Sequence, residues 1–375
     1  MGDRHAPKPA FIENPLQVVE YCRYCLMCRH VCPVGHVTHN ETLTPHGWAL
    51  MIASAQRNLL EWNPEAVDAL YKCADCGLCR THCATDQPLP TGIAGARAAV
   101  VEEGLAPESV MALKEALERW ANPFQRATPE SPIKTGEDAI LVGDAAYFRT
   151  PQTLDAAMQL LAATGVEPIQ LARGRNLGLL PSSLGLSELA AELASQTIEE
   201  IKSTGCRRLF LLTPGDIYTV TRLYPERLNL GLPDHLEVID LAAYLERSQE
   251  NGLLRFEKIR GEGPYAYHDP EHGARIKRNH SAPRKLLRSL FEAAREVSFF
   301  WREDRAHPTG VVGGLNWVQP DLARDLTEAR LQEAIDAGAR FLFTEDPLAL
   351  EALRAQADGR IEVSGLYETM AAHLE

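Results

Sequence analysis

Residues 22–33 read CRYCLMCRHVCP, and residues 73–84 read CADCGLCRTHCA. Both place four cysteines at the spacing C-x2-C-x2-C-x3-C: Cys22, Cys25, Cys28 and Cys32, then Cys73, Cys76, Cys79 and Cys83. Three thiolates on one tight turn suit three iron corners of a [4Fe–4S] cubane, and the fourth cysteine sits beyond the turn, aimed elsewhere. Zinc is satisfied by two Cys-x2-Cys pairs and needs no third cysteine in each turn. Structural disulfides would not repeat cysteines three apart in duplicate. The spacing therefore predicts two [4Fe–4S] clusters.

In two-cluster ferredoxins the fourth cysteine of each run completes the other cluster. That rule assigns one cluster to Cys22, Cys25, Cys28 and Cys83, and the other to Cys73, Cys76, Cys79 and Cys32. Pro33 follows Cys32, whereas Ala84 follows Cys83 and the next proline is Pro88, so the turn after Cys83 is less constrained. The ninth cysteine, Cys206, precedes an apolar strand and reads as a buried small hydrophobe. His30, His36, His39, His46 and His82 flank the turns as supporting or surface residues. Arg23, Tyr24, Arg29 and Arg80 are candidates for tuning the clusters or docking a partner.

The chain around these runs has 375 residues and a net charge of −13, enough for two or three domains. Residues 1–100 hold 8 Lys/Arg against 9 Asp/Glu, so the acidity lies in the remainder. An acidic body disfavours phosphate-backbone binding, and nucleic acid is not an expected partner. No run of about 18 apolar residues marks a transmembrane helix. The start, MGDRHAPKPAFIENP, has no signal-peptide core, so a cytoplasmic location is expected, at the inner face of a membrane where a partner tethers the chain.

The expected fold is multidomain α+β and α/β. Residues 1–121 form a helical, ferredoxin-like module: a helix after Pro45 with Trp48, Met51, Ile52, Ala55 and Leu59 on one side, a second entered through Asn63-Pro64, and helical sequence at about 91–121. Residues 122–138 read as a linker. Strand and helix patterns then alternate, which implies parallel sheets. AILVGDAAYF (139–148) reads as strand into Gly turn, VEPIQLA (166–172) and RRLFLLTPGD (207–216) as further strands, with helices at 150–165 and 186–205. The pattern returns at PYAYHDPEHG (264–273), SAPRKLLRSLFEAAREV (281–297), DLARDLTEARLQEAIDAG (321–338) and ARFLFTEDPLAL (339–350). This predicts a duplicated body with lobes at 139–255 and 256–375.

Two four-cysteine runs followed by such a body resemble the iron–sulfur subunits related to heterodisulfide reductase. That group includes the iron–sulfur subunits of glycolate oxidase and of anaerobic glycerol-3-phosphate dehydrogenase. In that family each lobe carries a Cys-Cys-Gly motif with flanking cysteines, which some members use for a further cluster. The matching positions here hold no cysteine. They are Gly143-Asp144, Asn176-Leu177-Gly178 and Thr213-Pro214-Gly215-Asp216 in the first lobe, and Glu271, Val311-Val312-Gly313 and Asp346-Pro347-Leu348-Ala349 in the second. Val311 and Val312 cannot ligate any metal, and the body reads as a degenerate scaffold.

The resemblance implies electron transfer from a flavoprotein dehydrogenase, acting on a 2-hydroxy acid or similar small substrate, to a downstream acceptor such as a quinone-linked protein. No dinucleotide fingerprint or P-loop is present, so substrate oxidation is expected on another subunit. Two alternatives remain open. One is a catalytic, heterodisulfide-reductase-like body in which His268, Asp269, Glu271, His272, Asp144 and Asp216 hold a non-sulfur metal. The other is an assembly scaffold with structural clusters.

Overall fold

A computed structural model describes residues 10–129, 134–260, 263–276 and 280–375. Parts of the expected linker and of the second lobe, and the first nine residues, lie outside these. The protein is a mixed α/β molecule with helices and two parallel sheets, the cysteine-rich segment standing at its N-terminal end.

The N-terminal segment is helical because its periodic stretches are capped. Asn63 Oδ1 accepts from the Ala66 amide at 2.9 Å, and Pro64 opens the helix Pro64–Tyr71. Of the expected face, the helix Pro45–Gln56 buries Trp48 and Ile52 and leaves Met51 and Ala55 half-buried; Ala49, outside that pattern, is buried as well, and the helix stops short of Leu59. Asn58 adopts φ +56, which no helix continues through, and Leu59 is exposed. The expected helical stretch at 91–121 is two helices, Leu89–Glu102 and Glu108–Trp120, separated by the turn around Gly104 and Pro107. Within the expected linker, Asn122 is buried and donates to the carbonyls of Trp120 and Arg126.

The first sheet comprises β1 (Asp138–Leu141), β2 (Ile169–Leu171), β3 (Arg208–Leu211) and β4 (Glu237–Asp240), in the order β2-β1-β3-β4 and wholly parallel. The chain steps from β1 outward to β2, then crosses to the far side of β1 for β3. The β1/β3 edge is thus the topological switch point, where the loops leaving the two carboxyl ends diverge and open a crevice. AILVGDAAYF is only half strand: after Leu141 it turns at Gly143 into the helix Gly143–Phe148. The second sheet, β5 (Tyr265–Tyr267), β6 (Phe341–Thr344) and β7 (Glu362–Gly365), is parallel in that order. The helix expected to 297 ends at Leu290, where Phe291 becomes extended.

The three parts share cores. Ile140, Phe210 and Ile239 of the first sheet pack in one cluster with Tyr265 and Phe343 of the second and with Leu366, which opens the helix after β7. Val34, Trp48 and Leu70 of the N-terminal segment share another with Leu184, Val312 and Leu326. Glycine permits a close approach between the helix Glu271–Ile276 and Pro214: a Cβ on Gly273 would lie 1.8 Å from that of Pro214. Gly273 and Pro214 therefore have a packing role of their own.

Candidate metal centres

The two cysteine runs fold into equivalent turns. Tyr24 and Asp75, each two residues after the first cysteine, have φ +49 and +48. Leu26 and Gly77, each following the second cysteine, have φ +65 and +76. This left-handed pair folds the backbone so that amides face sulfur: the Tyr24 amide donates to Cys22 Sγ and the Asp75 amide to Cys73 Sγ, each at 3.4 Å. Leu26 takes a conformation that costs a non-glycine residue about 1 kcal/mol, so the turn is imposed by its surroundings.

The fourth cysteine of each run lies near sulfurs of the other run. Cys28 interacts electrostatically with Cys22, Cys83 and Cys25, whereas Cys32 interacts with Cys76 and Cys73. Cys79 interacts electrostatically first with Cys76 and Cys73, then with Cys28 and Cys32. Burial and these like-charged neighbours push the Cys28 thiol up to about 11, and burial above all drives Cys73 to about 12. Cys83 differs: burial raises it, but the Thr85 hydroxyl and the Gln87 and Thr85 amides hold it below the ordinary thiol value. So many crowded sulfurs can be thiolates together only with a cation among them, and iron in a cubane supplies that charge. The residues fit the cluster chemistry. Cys25 is exposed and Cys22 and Cys28 partly so, whereas Cys32, Cys73 and Cys76 are buried.

The second turn is clamped by side chains that local sequence gives no means of finding. Arg97, 1% exposed, donates to the carbonyls of Leu70, Cys73 and Ser183. Asp75 accepts from both Arg227 Nη atoms at 2.8 and 3.0 Å and from Ser183 Oγ at 2.6 Å. His272 Nε2 donates to the Asp75 carbonyl, bringing the second lobe onto the same turn. Of the arginines expected to tune or dock, Arg80 is bound to Glu226 and Asp86, and Arg29 to Glu41. His36 donates from Nε2 to the His30 carbonyl, and His46 packs edge-on to Tyr24. Cys206 is buried among Leu209, Leu211 and Ile201, as a small hydrophobe.

The positions that the resemblance aligns with cysteine motifs contribute residues to one cavity of about 140 Å³, lined among others by Asp144, Asn176, Asp216, Glu271, Val312 and Asp346. Asp144 and Asp216 follow β1 and β3, at the switch point, while Glu271 and Asp346 follow β5 and β6. The carboxyl ends of both sheets thus face a common space. The alternative metal constellation is not assembled. His268 Nδ1 accepts from Arg330 Nε at 2.9 Å, Asp269 is paired with Arg284 at 2.8 Å, and neither lines the cavity. Among the described residues no three His, Cys, Asp or Glu side chains close around a single metal ion. That concerns one small ion and does not bear on a cubane, whose bulk holds the sulfurs apart.

Burial and the nearby Asp346 raise Asp216 to about 7, against 3.8 for a free carboxyl. Burial and Glu271 raise Asp346 likewise. The folded state thus keeps the Asp216 proton to higher pH than the unfolded chain does. Its contribution to stability is full below pH ~4 and declines as pH rises toward ~7, by about 2–4 kcal/mol. Asp216→Asn, which retains the acceptor oxygen for the Thr213 amide, is expected to flatten the fall in Tm between pH 5 and 8. An unchanged pH profile would show that Asp216 does not titrate there.

Residues 18–86 match the 4Fe-4S dicluster domain family. The chain is 24% identical over 315 residues to the D subunit of dihydromethanophenazine:CoB–CoM heterodisulfide reductase from Methanosarcina barkeri, covering 79% of this chain and 74% of the relative. The corresponding protein from Methanosarcina acetivorans is also 24% identical, over 310 residues and the same shares of both chains. In fold it is similar to the crystal structure of a hypothetical protein from Helicobacter pylori, with a TM-score of 0.61 and 12% identity over 96% of this chain and 74% of that one. No helix among the described residues is long and apolar enough to cross a membrane. With the dicluster match spanning both cysteine runs and the similarity to the reductase extending far beyond them, the chain is an iron–sulfur protein related to heterodisulfide reductase.

Proposed function

We propose that the chain is the electron-transfer subunit of an oxidoreductase complex, holding one [4Fe–4S] cluster at Cys22, Cys25, Cys28 and Cys83 and a second at Cys73, Cys76, Cys79 and Cys32. The observation that carries the reading is the crossed proximity of the sulfurs, with one set at the surface and the other inside. When bound, such clusters supply one-electron transfer with no open coordination position. The protein's part is to hold the two sites adjacent, expose Cys25 to a partner, and fix the inner turn through Arg97, Asp75 and Arg227. The electron donor is a flavoprotein dehydrogenase acting on a 2-hydroxy acid or similar small substrate. The acceptor is a downstream carrier, and a partner provides any attachment to the cytoplasmic face of a membrane.

The body, in this reading, is a duplicated pair of lobes at 139–255 and 256–375, joined through 122–138 to a ferredoxin-type domain at 1–121. What supports the duplication is the recurrence of a parallel sheet with a vacated motif after equivalent strands. One observation favours a second reading, a catalytic body: the four carboxylates that meet in the central cavity. The two readings separate in a potentiometric titration followed by electron paramagnetic resonance, combined with turnover of Glu271→Gln. A relay gives two reversible one-electron steps, and Glu271→Gln turns over with its partners at the wild-type rate. Clusters that do not cycle, or abolished turnover in Glu271→Gln with both clusters present, would reject the relay.

A further inference from the structure

The arginines near the inner cysteine turn fall into two kinds. Arg80 and Arg227 are neutralised by carboxylates, Glu226 and Asp75. Arg275, on the short helix Glu271–Ile276, is not: no ion pair to a carboxylate holds it among the described residues. Its Nη2 donates to the Ala306 carbonyl, which anchors the guanidinium. Its Nε and Nη1 are shielded from solvent and make no well-aligned hydrogen bond among the described residues, and the acceptor the side chain approaches is the Cys76 sulfur. A buried guanidinium donor without a well-aligned acceptor is costly, so the site calls for further acceptor capacity beside the Cys76 sulfur.

The location identifies its source. Where Gly77, between Cys76 and Cys79, would carry a Cβ, the atom within 4 Å is Arg275 Cγ, at 3.5 Å. The side chain therefore lies along the turn that carries the inner sulfurs. Burial raises the Cys76 thiol, and the Arg275 charge is the largest influence opposing it. In the outer run the position of Gly77 is taken by Leu26, and Arg29 is paired with Glu41 at the surface.

We propose that Arg275 donates from Nε and Nη1 to sulfur of the cluster held at Cys73, Cys76, Cys79 and Cys32, and so makes this inner cluster the more easily reduced of the two. The inference rests on the two-cluster reading above. A reduced cluster carries one more negative charge, so a fixed cation and N–H···S bonds stabilise it over the oxidised form and raise its potential. The direction of electron flow, from the exposed cluster inward, is then set by a residue of the second lobe, some 200 positions from the cysteines it serves.

The test is the midpoint potential of each cluster in holo-protein bearing Arg275→Gln or Arg275→Lys, with iron counted in every sample. The inner cluster is expected to shift to more negative potential in Arg275→Gln and by less in Arg275→Lys, while the outer cluster stays put. A purely structural arginine would lower Tm and leave both potentials unmoved, and that result overturns the proposal. Should both variants lose the inner cluster, wild-type protein labelled with 15N-arginine decides. Nitrogen hyperfine coupling in the spectrum of the reduced inner cluster supports the contact, and its absence overturns it. Wild-type protein lacking cubane signals would instead overturn the two-cluster reading itself, and this proposal with it.

Discussion

Replacing Cys32 with Ser is expected to damage the cluster of the other run. Cys32 is 5% exposed, and its sulfur neighbours are Cys76 and Cys73. It stands at the N-cap of the helix Pro33–Thr38, directly after the first turn. Losing one thiolate of four usually empties a site or converts it to a three-iron form, because metal binding is coupled to a complete ligand set. Iron should fall from about eight to between about four and seven per chain, with the inner cluster's spectrum altered and the outer one's intact. Cys22→Ser should produce the opposite pattern. Identical spectra from the two variants would contradict crossed ligation.

The second large effect is expected from Arg227→Met. Arg227 and Asp75 form a bidentate pair with side-chain exposures of 5% and 3%, in the turn between Cys73 and Cys76. Removing the cation leaves Asp75 buried with Ser183 as its remaining side-chain donor. Breaking one side of a buried pair costs about 3–5 kcal/mol, because the other charge is stranded. The denaturation midpoint of the cluster-loaded protein should drop accordingly, and Asp75→Asn in the same chain should recover part of the loss by removing that charge. A change below about 1 kcal/mol would place the pair among ordinary exposed ion pairs.

The cysteine turns are legible in the sequence because their chemistry is local: the spacing of Cys22, Cys25 and Cys28 is itself the geometry of a tight turn. The alternation that implied parallel sheets is legible for a similar reason, since a strand and its crossover helix each declare their own periodicity. Errors arose where a single backbone conformation overrode the pattern. Asn58 turns left-handed before Leu59, and Gly143 bends an apolar run from strand into helix. Neither event changes hydrophobicity, so periodicity cannot register it.

The support around the inner turn was not legible. Arg97 reaches Cys73 across 24 residues, Arg227 reaches Asp75 across 152, and His272 reaches the Asp75 carbonyl across 197. An arginine is most often a solvated surface residue, and only the packing of distant parts of the chain onto the N-terminal segment singles these out. Asp144, Asp216, Glu271 and Asp346 could be named from the vacated motifs. That all four meet in one cavity follows from the sheets facing each other at their carboxyl ends, a relation no single strand contains.

The most direct measurement is iron and acid-labile sulfide per chain in anaerobically purified protein. Two cubanes require about eight of each. A value near four, or stoichiometric zinc in place of iron, would contradict two [4Fe–4S] clusters and the electron relay built on them.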